Sequence, residues 1–276
     1  MDFQLNEEQR AIQDMARAFT AEHFTPNAAR CDEEEIFPVE EIRKAAELGL
    51  AGIYVGEEHG GSGLSRLDAA IIFEELSAGC PSTAAYISIH NMVSWMVDRF
   101  GSDEIRARFL PKLTSMEQMA SYCLTEPGAG SDAASLKTRA TPEGNSTFRM
   151  SGAKAFISGG PTSDLYAVMA RTGGDGAGGV SCLLVERGSE GLSFGKKERK
   201  MGWHSQHTSM VNFEDCPVPR DNLVGNEGDG FKIAMAGLDG GRINIAACSL
   251  GGARAALEAA LSYAADRAQF GKKLNE

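Results

Sequence analysis

The feature that most constrains this chain is a double change of hydrophobic period along its length. From about residue 6 to 118 apolar residues recur at helical spacing. From about 119 to 225 they sit in short β-former-rich segments, and from about 228 the helical period returns. In NEEQRAIQDMARAFTAEHF, residues Ile12, Met15, Ala16, Phe19 and Phe24 fall on one helical face. Asn6 reads as its N-cap, Glu7 and Glu8 fill the first turn, and Pro26 is expected to stop it. VEEIRKAAELGLAG repeats the pattern after Pro38. SRLDAAIIFEELSAG, STAAYISIHNMVSWMVDRFG and SDEIRARFLPKL follow, each opened by Ser and most closed by Gly. Met92, Trp95 and Met96 read as core filling in this all-α region.

SYCLT, LKTRA, STFRMSG, KAFIS, LYAVMAR, SCLLVER and SMVNFED are divided by Gly, Pro, Asn and Ser, as strands of an antiparallel sheet or barrel would be. The last stretch, from DGFKIAMAGLDGG onward, is loaded with Ala and Gly. Interior glycine costs a helix roughly 0.5–1 kcal/mol each, so their number implies close packing against helices or a ligand. The fold expected is α+β: an N-terminal all-α domain (1–118), a middle antiparallel β-barrel or sheet (119–227) and the start of a C-terminal α-helical domain (228–276) that the chain leaves unfinished.

A formal net charge of −11 disfavours nucleic acid, which needs a basic stripe to displace counterions. It does not disfavour an anionic cofactor, which one or two placed arginines can hold. No apolar run reaches membrane-spanning length, and the start, MDFQLNEEQR, has neither a signal-peptide nor a transit-peptide pattern. The six cysteines, at 31, 80, 123, 182, 216 and 248, contain no C-x-x-C pair and read as buried reduced thiols. These features point to a soluble protein of a reducing, cytoplasm-like compartment. His204 and His207 have H-x-x-H spacing but no third ligand, so no metal site is expected; His59, in EEHGGSG, reads as a turn residue rather than a base.

YCLTEPGAGSD (122–132) places Gly128, Gly130 and Ala133 at the spacing G-x-G-x-x-A. A Rossmann fingerprint also needs a following helix N-terminus and an acidic residue about 20 positions on. Here DAASLKTRATPEGNSTFRMSG follows and reads as a turn and strands, so that mechanism is rejected. What remains is a strand end delivering Thr125, then a bend carrying Ser131, which could equally be a solvent loop. KAFISGG (154–160) ends another strand with an aromatic ring and a hydroxyl. DRAQFGKKL (266–274) places Arg267, Gln269 and Phe270 near a helix end.

These three segments, in this order and in an α–β–α context, resemble the acyl-CoA dehydrogenase family of FAD-dependent flavoenzymes. The likeness runs from residue 2 to the end of the chain. YCLTEPGAGSDAASLKTRA and RAQFGKKL look like the family's two signature regions, and the passage from MGWHSQHTS to LDGGRINIAACSLG is similar to its barrel-to-helix passage. Within the family the segments look most like the branch that acts on isobutyryl-CoA.

The resemblance implies α,β-dehydrogenation of a short, branched acyl-CoA. Tyr122, Cys123, Leu124, Thr125, Gly130 and Ser131 would line the flavin, with Thr125 bonded to the ring and Ser131 between flavin and substrate. Phe156, Ile157 and Ser158 would pack on its other side, Phe156 standing where the family usually has Trp. Arg267 would meet the FAD pyrophosphate, on a neighbouring subunit, with Gln269 and Phe270 close to the dinucleotide. Asp239, Gly240, Gly241 and Arg242 would contact the acyl-CoA, although Asp239 and Arg242, three apart, also suit a simple surface pair.

The family's catalytic base is a Glu at one of two places. One matches Gly241, which cannot act; the other lies past Glu276. No catalytic residue is therefore expected in these 276 residues, and Glu126 reads as structural. The resemblance further implies an electron-transfer flavoprotein as acceptor, a homotetramer, and a cytoplasmic location, or the mitochondrial matrix in a eukaryote. A related flavin oxidase or monooxygenase, and a non-catalytic acyl-CoA-binding homologue, are the alternatives.

Overall fold

The computed structural model describes residues 4–276; residues 1–3 of the expected N-terminal domain lie outside the described residues. Helix α1 (Glu7–Phe19) starts where the sequence places it. The Asn6 side chain accepts the Gln9 N–H at 2.8 Å, and the Gln9 side chain accepts the Asn6 N–H at 3.2 Å. Pro26 does not end the helical path. After one π-turn (Thr20–Phe24) it sits in the first turn of α2 (Thr25–Glu33), where its missing N–H has no intrahelical partner to lose. Helices α3 (Val39–Lys44), α4 (Arg66–Gly79), α5 (Pro81–Phe100) and α6 (Asp103–Thr114) complete the helical region. Ser65 and Ser102 cap α4 and α6, but α5 opens on Pro81 rather than on a serine cap.

Eight strands form one sheet: β1 (Ala120–Cys123), β2 (Arg139–Glu143), β3 (Thr147–Ser158), β4 (Leu165–Arg171), β5 (Val180–Glu186), β6 (Leu192–Lys197), β7 (Thr208–Pro219) and β8 (Leu223–Val224). Two observations bear on the expected antiparallel barrel or sheet. The sheet is mixed: β1 runs parallel to β4, Ala120 opposite Leu165 and Cys123 opposite Val168, and β2 meets β4 in a parallel Arg139–Arg171 pair. The long connection between β1 and β4, which contains the β2–β3 hairpin, supplies the crossover that a parallel pair requires. Second, the pairing follows a path β6-β7-β3-β2-β4-β5-β8, with β1 branching from β4, and closure into a barrel is not observed.

STFRMSG and KAFIS are one strand rather than two. Gly152, at φ +146°, sits at a register shift against β7 and absorbs the break as a bulge. Strand β6 has little strand signal of its own, because LSFGKK carries a glycine and two exposed lysines on an edge.

Helix α7 (Gly230–Asp266) is 37 residues, about 55 Å long. Its glycines face its neighbours: a Cβ at Gly237 would run into Met96, one at Gly240 into Arg66, and one at Gly251 into the Glu74 carbonyl. An apolar core joins α5, α6 and the start of α7 to the sheet through Val93, Met96, Phe109, Leu165, Cys182 and Ile233. Beyond Gly251 the helix leaves this cover, and Leu257, Leu261 and Tyr263 are each 61% exposed. A short hairpin, β9 (Ala268–Gln269) and β10 (Lys272–Lys273), follows. All six cysteines are buried and unbridged, and no helix among the described residues is long and apolar enough to cross a membrane.

Candidate active site

The site begins with the alternation of β1. Tyr122 and Leu124 turn to the helical side, whereas the Cys123 side chain points into the sheet core with Ile157, Tyr166 and Val168. After β1 the Thr125 carbonyl accepts the Ala155 N–H at 2.8 Å, which brings the end of β1 beside β3. There β3 loses register between Lys154 and Ile157, and Phe156 adopts a left-handed backbone, φ +59°, with 65% of its surface exposed. A bulky residue in that conformation marks a place where surrounding contacts override local preference.

One cleft of about 380 Å³ collects the two segments. Tyr122, Leu124, Thr125, Gly130 and Ser131 line it from the first, and Phe156, Ile157 and Ser158 from the second. Ile89 of α5 and Leu238 of α7 close the helical side. Neither was singled out in the sequence: Ile89 belongs to a run of α5 that reads as continuous core, and Leu238 merely precedes the DGGR segment. A larger depression of about 460 Å³ is lined by Asp132, Lys137, Arg139, Arg171 and Asp175, charged groups that the first cleft lacks.

The cleft mixes apolar side chains with hydroxyls. The Tyr122 hydroxyl is buried and has no hydrogen-bond partner among the described residues, and burial pushes its titration far above the ordinary phenol range. The Thr125, Ser131 and Ser158 hydroxyls likewise make no hydrogen bond to the described residues. Ser131 is exposed and Thr125 and Ser158 are half-buried, so these three hydroxyls are free to bond polar atoms of a ligand seated in the cleft. No carboxylate or imidazole lines this cleft among the described residues.

The remaining expected site residues stand elsewhere. Asp239 and Arg242 form an exposed ion pair at 2.9 Å on α7. Gly240 packs against Arg66, whose guanidinium lies over the rings of Tyr54 and Trp95, at 4.0 and 4.8 Å. Gly241 faces the Met92 sulfur. Arg267, Gln269 and Phe270 lie in the terminal hairpin, exposed, and do not line the cleft of their own chain. His204 contacts Asp32 at 3.3 Å, whereas His207 bonds the Glu35 carbonyl and Thr162, so the two rings serve different partners. His59 ends a 3₁₀ turn. Glu126 is buried and ion-paired to Lys154 at 2.8 Å.

Family models for the N-terminal, middle and C-terminal domains of acyl-CoA dehydrogenase match residues 6–117, 121–216 and 228–276. The butyryl-CoA dehydrogenase of Megasphaera elsdenii superimposes with a TM-score of 0.95 at 37% identity, over 100% of this chain and 73% of its own. The chain belongs to the acyl-CoA dehydrogenase family. Another member of known structure, a glutaryl-CoA dehydrogenase of Mycobacterium smegmatis in complex with FADH2, matches with a TM-score of 0.91 at 26% identity, over 98% of this chain and 69% of its own. The mitochondrial isobutyryl-CoA dehydrogenase of Bos taurus is 57% identical over 270 residues, 98% of this chain. The chain spans 65% of that relative's length. Among acyl-CoA dehydrogenases the branch resemblance seen in the sequence therefore stands, since this identity far exceeds that with the butyryl-CoA enzyme.

Proposed function

We propose that this acyl-CoA dehydrogenase family protein holds FAD and a short, branched acyl-CoA at the 380 Å³ cleft and serves the conversion of an isobutyryl-CoA-like thioester to its 2-enoyl form. The observation that carries the reading is the convergence of two segments, 122–131 and 156–158, on one cleft that presents the unpaired Thr125, Ser131 and Ser158 hydroxyls beside apolar side chains. Bound FAD supplies the acceptor for the hydride that leaves the β-carbon.

The chain's own residues would then do the following. Phe156 offers an exposed aromatic face, and Thr125 offers an unpaired hydroxyl to polar atoms of the ring. Ser131, on the glycine loop, would face the thioester end. Ile89 and Leu238 would meet the acyl group and limit its length. Arg267, Gln269 and Phe270, exposed and away from their own cleft, suit contacts to the dinucleotide of a neighbouring subunit in a homotetramer. An electron-transfer flavoprotein is the acceptor we assign on family grounds. Mitochondrial relatives support the matrix for a eukaryotic protein, and for a bacterial one we assign the cytoplasm on family grounds.

Removal of the α-proton is assigned to no lining residue, because none carries a carboxylate and Gly241 has no side chain. These 276 residues should thus bind ligand without normal turnover, slower by about 10²–10⁴-fold. The test is titration of the protein with FAD, followed by anaerobic addition of isobutyryl-, 2-methylbutyryl-, butyryl- or octanoyl-CoA. The expected result is a perturbed visible flavin band, strongest for isobutyryl-CoA, with little bleaching. Tightest binding of octanoyl-CoA overturns the substrate class, and rapid bleaching overturns the statement about the base. Should slow bleaching be followed by fast reoxidation in air, the flavin-oxidase alternative gains.

A further inference from the structure

Lys154 is the last residue of β3 in register with β7 before the strand bulges. It stands opposite Val211, and the ladder resumes only at Ile157 opposite Ser209. The bulge turns Phe156 outward in its left-handed conformation, while the Lys154 side chain runs the other way and is fully buried. Its ammonium donates to the Leu124 carbonyl at 3.0 Å and to the Glu126 carboxylate at 2.8 Å. That carboxylate also accepts the backbone N–H groups of Lys137, at 2.6 Å, and Thr138, at 2.9 Å.

One buried ion pair therefore ties together three pieces of the cleft wall. They are the end of β1 with Leu124 and Thr125, the β3 bulge with Phe156, and the far end of the glycine loop that carries Gly130 and Ser131. Arg171 clamps the same loop end from the opposite side, donating to the carbonyls of Ala134 at 2.8 Å and Leu136 at 3.0 Å. Within the loop Glu126 and Ala129 bond each other's backbone and Ala133 is buried, whereas a Cβ added at Gly128 or Gly130 would meet no atom within 4 Å.

A buried ion pair is seldom the most stable filling for such a site, since an apolar pair of similar volume often does as well or better. What apolar packing lacks is direction. We infer that Lys154 and Glu126 are positioning residues for the cofactor cleft, holding the bulge so that Phe156 faces Thr125 and Ser131 across it. Without the pair, β3 can relax toward regular pairing, which turns alternate side chains to the opposite face. The identity of the bound molecule rests on the function proposed above; the placement of Phe156 does not.

The test uses the chain with para-fluorophenylalanine in place of Phe156, alone and combined with Lys154→Met or with Lys154→Met and Glu126→Leu together. Three quantities are read: the fluorine NMR line, the thermal midpoint and FAD affinity. The parent should give one sharp line. Lys154→Met should lower the midpoint, shift or broaden the line, and weaken FAD binding at least about tenfold, the scale of loss expected from a displaced binding group. The double variant should regain part of the thermal midpoint, the rest being lost because the Thr138 N–H and Leu124 carbonyl give up their partners, and neither of the other two. If all three recover together, the pair only stabilises the fold and the inference fails. It fails as well if Lys154→Met leaves line and affinity unchanged, and should that variant not fold, the double variant decides alone. Absence of FAD binding by the parent would remove the proposed function, while the fluorine line would still report on the frame.

Discussion

Glu75 is a buried carboxylate on which α1, α4 and α7 converge, and its replacement by glutamine tests how charge holds the helical region together. Its side chain is 1% exposed and accepts Arg254 through two nitrogens, at 3.0 and 2.7 Å, Arg17 through two more, at 3.1 and 3.2 Å, and Gln13 at 2.9 Å. Sheltered hydrogen bonds to charged groups contribute about 1.5–3 kcal/mol each, but exposed ion pairs contribute only about 0.2–1 kcal/mol. Arg17 is 55% exposed and Arg254 31% exposed, so the first belongs near the low end and the second between the two. Glu75→Gln should therefore cost about 2–3 kcal/mol at neutral pH, including the repulsion of an amide NH₂ set against two guanidinium groups.

The pH dependence supplies the sharper check. Burial by itself would raise the Glu75 carboxyl, but the bonds from Arg254 and Arg17 outweigh it and hold the group below the usual carboxylate range. A carboxyl depressed in the folded state contributes stability that is present above its unfolded value, near 4.5, and lost as pH falls through the folded one. The difference between wild type and Glu75→Gln should thus shrink as pH falls below about 4.5 and through the depressed folded value. Urea unfolding followed by circular dichroism, with the slope m unchanged, measures the difference at each pH. A neutral-pH difference under about 1 kcal/mol, or one that does not vary with pH, refutes the assignment of the network's contribution to charge.

His90 predicts a second pH effect. Burial pushes its imidazole down to about 4 from 6.5, against the pull of the Leu113 carbonyl, so the unfolded chain takes up its proton first. Stability should fall as pH drops from 6.5 toward 4, by up to roughly 3 kcal/mol, and His90→Gln should flatten that slope in urea midpoints. Gly251→Val would press on the Glu74 carbonyl and part α4 from α7, costing at least about 2 kcal/mol, whereas Gly130→Ala, in open space, should stay within about 0.5 kcal/mol; unfolding midpoints distinguish the two. Phe156→Gly should stabilise the ligand-free chain by about 1 kcal/mol, because the left-handed backbone strain vanishes and little burial is lost, yet weaken FAD binding in titration.

How much of this was legible beforehand follows from the range of each interaction. The Asn6 capping box, the Ser65 and Ser102 caps and the change of period are local, so α1, α4, α6 and most strands could be read directly from the residues. Pro26 misled because its effect depends on whether it falls inside a helix or at the next one's first turn. Gly152 misled because one bulge keeps a strand continuous that a glycine seems to divide. The parallel pairing of β1 with β4 rests on partners some 45 residues apart, which no short segment encodes.

The site divides in the same way. By themselves YCLTEPGAGSD and KAFIS allow a solvent loop, and it is their order along the chain that carries the family resemblance. That they form one cleft, that Cys123 turns out of it while Tyr122 turns in, and that Ile89 and Leu238 complete it were decided by strand alternation and by the packing of α5 and α7 on the sheet. Glu126 and Lys154 show the limit most clearly. They are 28 residues apart, and an acidic loop residue and a strand lysine ordinarily belong in water. Only the fold, by burying both beside the Leu124 carbonyl, makes them partners, because a buried charge needs a counter-charge that distant chain must deliver.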